Sequence, residues 1–187
     1  MATLGLSGAA LAQDSTGQAA TETPDAGLSM GQEVQIGQSY IRESSGDWQL
    51  ECLRTDADGT EPCQLMQEMN GADGTPIANI RLFRLKNGGD AVAGAVIAVP
   101  LETLLTAQLT LSVDGASTRR YPFSVCDRLG CYARIGLRSQ DIDEFKRGAK
   151  ATLTIVPFVA PDQQVTIDMS LKGFTAGYEM VTEANAQ

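Results

Sequence analysis

Trp48, Leu50 and Cys52 alternate with Gln49 and Glu51, so three apolar side chains fall on one face of an extended segment and two polar ones on the other. Short runs of this kind recur along the rest of the chain, punctuated by Gly, Asp and Pro, the pattern of strands joined by turns. Residues 48–54 and 63–69 predict a hairpin around the polar stretch 55–62. Residues 77–86 predict a strand with Ile80 and Leu82 on one face, although Arg81 and Arg84 fall on opposite faces. After the turn Asn87-Gly88-Gly89-Asp90, the nearly continuous apolar run 91–99 predicts a central strand buried on both faces. Leu101, Leu104 and Leu105 stand at helical spacing and predict a helical turn over 100–106.

Leu109, Leu111 and Val113 alternate with Thr110 and Ser112 before Asp114-Gly115 turns the chain. Residues 118–126 predict one further strand, which leads through a cysteine loop into 132–138. The segment 139–148, SQDIDEFKRG, predicts the one helix. Ser139 serves as its N-cap, the solvated acids Asp141, Asp143 and Glu144 complement its positive end, Lys146 and Arg147 suit its last turn, and Gly148 stops it. Residues 150–158 and 164–171 alternate again, and KGFTAGY over 172–178 reads as a packed turn. About eight strands and one short helix predict an all-β antiparallel fold. Varied strand lengths and a helical connection favour a sandwich over a barrel.

Before residue 40 the pattern fades. Residues 1–12 are apolar and uncharged and end in Ala10-Leu11-Ala12, a small-x-small cleavage signature without the usual charged start. They read as a truncated signal peptide, too short for a membrane-spanning helix, which takes roughly 20 residues. Residues 13–39 read as a disordered polar leader, with an edge strand over 33–41, residues 40–182 as the domain, and 183–187 as a tail. The expected location is the periplasm or the cell surface, associated with the outer membrane.

The four cysteines sit in two segments, Cys52 with Cys63 and Cys126 with Cys131. Three pairings are open to four cysteines. Pairing within each segment is the economical arrangement, because two strands leaving a short loop bring opposed side chains within reach. Export makes disulfides the expected state. Four-cysteine zinc binding fits poorly, since ten residues separate Cys52 from Cys63.

Charge and chemistry narrow the function classes. The formal net charge of −9 argues against nucleic acid and against an anionic membrane surface. No histidine occurs, which removes the commonest general base and every Ser-His or Cys-His pair. Asp56-Ala57-Asp58-Gly59-Thr60 resembles the start of a calcium loop but lacks the later acidic ligands, so it reads as a hairpin turn. No catalytic residue, cofactor or metal is expected. Against the acidic background, Arg119, Arg120, Arg128, Arg134 and Arg138 share residues 118–138 with one acid, Asp127. They define a candidate contact for a glycan, an anionic headgroup or a protein, with Arg128 at the tip of the cysteine hairpin. The plainer and stronger expectation is that they pair with the protein's own carboxylates or face solvent.

Several segments together resemble the invasion-associated locus B family of alphaproteobacterial envelope proteins. They are Gly46-Asp47-Trp48 with Cys52, Cys63-Gln64-Leu65-Met66-Gln67, Pro100-Leu101-Glu102, Leu111-Ser112-Val113-Asp114-Gly115, Cys126 with Gly130-Cys131, Phe145-Lys146-Arg147-Gly148-Ala149, and Ser170-Leu171-Lys172-Gly173-Phe174. The resemblance covers roughly residues 37–180 and implies an exported immunoglobulin-like β-sandwich with both local disulfides. It also implies a part in host-cell invasion in pathogens, and it carries over no catalytic residues. A non-enzymatic envelope interaction protein is therefore the first expectation. A carrier with an apolar cavity between its sheets, and a carboxylate-dependent hydrolase of envelope material, are the alternatives.

Overall fold

The computed structural model describes residues 31–56, 59–71, 74–87 and 89–186. The signal-peptide expectation, most of the leader, Ala57 and Asp58 of the calcium-like turn, and Gly88 lie outside the described residues.

Among the described residues, eleven strands form two antiparallel sheets. β1 (Ser39–Ser45), β2 (Trp48–Leu53), β3 (Cys63–Asn70), β4 (Pro76–Arg84) and β5 (Ala93–Val99) follow one another across the first sheet. That sheet is completed by β9 (Cys131–Leu137) and β8 (Phe123–Cys126), giving the order β1-β2-β3-β4-β5-β9-β8. The second sheet contains β6 (Leu109–Val113), β7 (Ala116–Tyr121), β10 (Lys150–Ile155) and β11 (Val165–Ser170), in the order β11-β10-β6-β7. Helix α1 (Ser139–Arg147) joins β9 to β10, and α2 (Phe174–Ala184) follows β11.

The alternation read from the sequence places the core. Trp48, Leu50 and Cys52 are buried on one face of β2, as are Ile80 and Leu82 on β4 and Leu109, Leu111 and Val113 on β6. β5 is central in its sheet but buried on one face. Ala93, Ala95, Ile97 and Val99 point into the core, while Val96 and Ala98 are only half-buried. A run buried on both faces belongs to sheets covered on both sides, and this sheet turns its other face outward.

Four further expectations are corrected. The single strand expected over 118–126 is two strands in different sheets, β7 and β8, and it breaks at Pro122, which has no N–H to give a ladder. The helical turn expected over 100–106 is displaced: a 3-10 turn, Leu105–Ala107, overlaps only the end of that range and buries none of its residues. In α1 the N-cap position is Arg138, and Ser139 is already helical. The N3 carboxylate of Asp141 accepts the Arg138 backbone N–H at 2.8 Å. The leader ends sooner than residue 39, since Gly37 donates its N–H to the Arg54 carbonyl and Arg54 donates to Gln38, extending the pairing of β1 with β2.

The largest correction is α2. A helix of eleven residues replaces most of the packed turn expected over 172–178 and reaches two residues into the tail expected from 183. Phe174, Gly177, Tyr178 and Val181 stand at helical spacing and are its buried face. The helix lies against β1 to β4, covering the part of the first sheet that the second sheet leaves open. Gly177 permits this approach, because a Cβ there would sit 2.9 Å from Leu65 Cδ1. Phe174 meets the rings of Trp48 at 5.2 Å, Phe145 at 5.3 Å and Tyr178 at 5.9 Å, which ties α1, α2 and β2 together. Beyond the helix, the Asn185 side chain donates to the Cys63 carbonyl at 2.8 Å and accepts the Cys63 N–H at 3.2 Å.

A second amide side chain closes the seam between the sheets. Gln67, buried on β3, donates to the Ser170 carbonyl and accepts the Ser170 N–H, both at 2.9 Å. The same carbonyl accepts Trp48 Nε1–H at 3.0 Å. Alongside, the turn after β1 and the junction after β11 touch backbone to backbone. A Cβ on Gly46 would lie 2.4 Å from the Lys172 carbonyl oxygen, and one on Gly173 would lie 2.1 Å from that of Ser45. Both glycines have positive φ, +57° and +85°. Two segments more than 120 residues apart are thus welded together.

Candidate functional site

β8 and β9 place Cys126 directly opposite Cys131, with Cα atoms 4.0 Å apart, and the disulfide joins them. Cys52 and Cys63 face each other in the same way on β2 and β3, 4.1 Å apart and likewise bonded. Both lie on adjacent antiparallel strands, where opposed positions come closest. A four-residue loop closes the Cys126–Cys131 hairpin, and the Asp127 N–H donates to the Gly130 carbonyl at 3.0 Å.

Asp127 organises the loop from inside. Its Oδ1 accepts the Leu129 N–H at 2.7 Å, the Gly130 N–H at 3.2 Å and the Tyr132 hydroxyl at 3.2 Å. These donors, the Leu129 N–H first, hold its carboxyl below the usual carboxylate range. The Gly130 backbone is pressed against β5, since a Cβ there would sit 2.6 Å from the Val99 carbonyl oxygen. With the backbone fixed from both sides, Arg128 and Leu129 project into solvent. Leu129 is 86% exposed, the highest value for a large apolar side chain among the described residues.

Neighbouring loops continue this surface. Leu101, just past the end of β5, lines a groove of about 350 Å³ together with Leu129, Glu68, Ile77 and Asn79. The loop after β5 is bridged to the loop after β10, with Thr103 paired to Pro157 and the Phe158 N–H donating to the Glu102 carbonyl at 2.6 Å. That second loop exposes Phe158 (65%) and Val159 (76%). Three loops held by backbone hydrogen bonds and a disulfide therefore present large apolar side chains to solvent. The sequence signal for them was an apolar residue inside a turn.

The five arginines do not form one patch. Arg120 pairs in register with Thr110 on the second sheet, whereas Arg134 pairs with Val96 on the outward face of the first. Arg128 sits at the hairpin tip, and Arg138 precedes α1 at the opposite end of β9. All four are exposed and, among the described residues, make no ion pair. Arg119 alone of the five takes the expected internal partner, Asp141. Asp141 is buried, 3% exposed, which corrects its expected solvated role. One of its oxygens caps α1 and the other faces the Arg119 guanidinium in an ion pair without regular hydrogen-bond geometry. Tyr121 lies beside this pair, and burial, with the Asp141 charge behind it, pushes its hydroxyl above its ordinary value. The cavity these groups line measures about 10 Å³, room for at most one water.

Among the described residues no three acids or cysteines converge on a point that could hold a metal ion, and no helix is long and apolar enough to cross a membrane.

Among solved structures, the chain is similar to the crystal structure of invasion associated protein B from Bartonella henselae, with a TM-score of 0.66 at 17% identity. The match covers 75% of this chain and 94% of the Bartonella one, and it shows a shared fold. No curated protein matches the chain significantly. The sequence model of the invasion associated locus B protein family matches residues 48–182, which run from the single tryptophan to the last turns of α2. With the fold and the family match in agreement, the chain belongs to the invasion associated locus B family.

Proposed function

We propose that this protein is exported to the cell envelope and acts there by binding, not by catalysis. Its contact surface is the end of the sandwich built from the Cys126–Cys131 hairpin and the loops after β5 and β10. The observation that carries this reading is Leu129, 86% exposed on a loop whose backbone is fixed by the disulfide, the Asp127 carboxylate and the Val99 carbonyl. Large apolar side chains held rigidly in solvent mark interaction sites. Leu101, Phe158 and Val159 widen the patch, and Arg128 adds one guanidinium at its rim.

The partner that fits is a protein surface with an apolar centre. Scattered arginines and a net charge of −9 fit an extended anionic surface less well. Two disulfides suit an oxidising compartment, in keeping with an envelope family. In a host-associated cell the same patch would meet a host component, and elsewhere a neighbour within the envelope. The non-enzymatic part of the reading is supported by a sequence without histidine and by a buried acid already engaged by Arg119.

A photo-cross-linking residue at Leu129, with a second at Thr154 as control, tests this in intact cells. A discrete adduct from position 129, lost on adding Leu101→Asp, is expected. Equal labelling from both positions, or none from either, overturns the reading. Protease shaving with a periplasmic control protein then separates a periplasmic from a surface location.

A further inference from the structure

The outward face of the first sheet carries a trough separate from the hairpin surface. Strand register sets its rows. Phe83 lies opposite Gly94, and Gly94 opposite Gly136; in the next row Arg81 lies opposite Val96, and Val96 opposite Arg134. Gly136 leaves its end of the row hollow, while the Phe83 ring lies across Gly94 and buries it, so that a Cβ there would come within 2.8 Å of the ring. The hollow measures about 500 Å³, with Phe83, Leu85 and Val96 as apolar walls and Arg134 on its border. Sites for small molecules have this size, about 300–1,000 Å³, and this character, mostly apolar with a few polar groups.

The two cations of the Val96 row differ. Arg81 is engaged by Glu51 at 3.4 Å and by Asn79 at 2.6 Å. Arg134 is exposed and, among the described residues, has no carboxylate within ion-pairing distance, in a chain with 23 acids and 14 bases. An unmatched guanidinium beside a bare apolar row selects a ligand with both characters. Rows on one face of a strand are about 7 Å apart, a width that accepts a single hydrocarbon chain.

We propose that this trough binds a linear amphiphile with a carboxylate head, its chain lying along the Phe83 ring and Gly136 and its head on the Arg134 guanidinium. Arginine suits that head because its fork matches a carboxylate bidentately. The site lies on the outside of the sandwich, not between the sheets where a carrier cavity was expected. It does not depend on the hairpin surface.

Titration of 15N-labelled protein with decanoate, below its micellar range, tests the proposal, with monodecanoylglycerol as the uncharged control. Decanoate should give saturable shifts confined to the amides of Phe83, Gly94, Val96, Arg134 and Gly136. Removing the charge-assisted contact with Arg134→Ala, or using the uncharged control, should weaken binding about tenfold or more. Gly136→Leu should abolish it by filling the row; its Cβ would meet only the Ala91 methyl, at 3.4 Å. Val96→Asp is the second blocking variant, and thermal unfolding checks that each variant is folded. Shifts that do not saturate, that centre on Leu129 or Phe158, or that survive Arg134→Ala undiminished would falsify the proposal.

Discussion

The seam at Gly46 and Gly173 and the hairpin at Cys126–Cys131 both use glycine to bring backbones into contact, yet they serve opposite ends. At the seam the large side chains and the amide that bridge the sheets turn inward. Trp48, Gln67 and Phe174 are buried, and Ser170 has both backbone groups bound by the Gln67 side chain. At the hairpin the backbone is equally fixed, but Arg128 and Leu129 turn outward. Most of the segments that carry the family resemblance belong to the seam or to contacts like it. Gly148 of 145–149, for instance, has Leu171 Cδ1 at 2.8 Å from where its Cβ would be, and the Asp114 carboxylate accepts the backbone N–H groups of Ala149 and Lys150. The difference teaches that the family pattern records how the sandwich is held together. Of the side chains proposed for binding, Leu129, Phe158 and Val159 lie outside that pattern, while Leu101 lies within it.

Substitutions that strike one region and spare the other sharpen the contrast. The largest effect is expected from Gly173→Ala, which adds a Cβ 2.1 Å from the Ser45 carbonyl oxygen at a φ of +85°. A loss above about 4 kcal/mol, or failure to fold, should appear in urea denaturation. Gly115→Ala, at φ +76° with nothing within 4 Å, isolates the backbone cost and should lose about 1–2 kcal/mol. Comparable losses for the two would mean that the seam contact contributes little.

Gln67→Ala should come next, at about 2–4 kcal/mol, because it strips a buried partner from both backbone groups of Ser170. Removing the disulfides follows. With separations of 11 and 5 residues, loop-closure entropy assigns about 3 kcal/mol to Cys52–Cys63 and about 2 kcal/mol to Cys126–Cys131. The paired Cys→Ala variants, compared by denaturant midpoint, should keep that order. A reversed order would show that the hairpin disulfide supports more of the fold than its own loop.

Acid should loosen the hairpin before the seam. The Asp127 carboxyl is depressed in the folded state, so its contribution is complete above the unfolded value of about 3.9 and is lost as pH falls through its lower folded value. Protection of the Leu129 and Gly130 amides, measured against their intrinsic exchange rate at each pH, should therefore fall below about pH 4 while that of Ser170 holds. The smallest effect on stability belongs to Leu129→Asp, within about 0.5 kcal/mol for so exposed a site. The same change should remove the adduct formed in cells from a photo-cross-linking residue moved to Phe158. Normal stability with an unchanged adduct would shift the contact surface to another part of the molecule.

Much of this architecture was legible in the chain. Period-two alternation located the strands, because which side of a pleat a residue faces is decided by its neighbours two positions away. The disulfides fit strands close in sequence, where a hairpin brings opposed cysteines together without help from the rest of the fold. Helix α2 was half legible. Phe174, Tyr178 and Val181 have helical spacing, but Gly177 and two threonines weaken the local preference for helix. Leu65 and Trp48, more than 100 residues earlier, supply the surface that makes the helix form there.

The sequence alone determined most of the strands, the cysteine hairpins and the excess of acid, all of which depend on residues near one another in the chain. The tertiary structure decided which groups meet. It sent Asp141 inward to Arg119 and split five neighbouring arginines among both sheets and two ends of the molecule. It also set Gly94 opposite Gly136 and closed the seam from turns at either end of the chain. Alternation says that a face is apolar; only packing says which distant residues cover it, and which side chains are left outside.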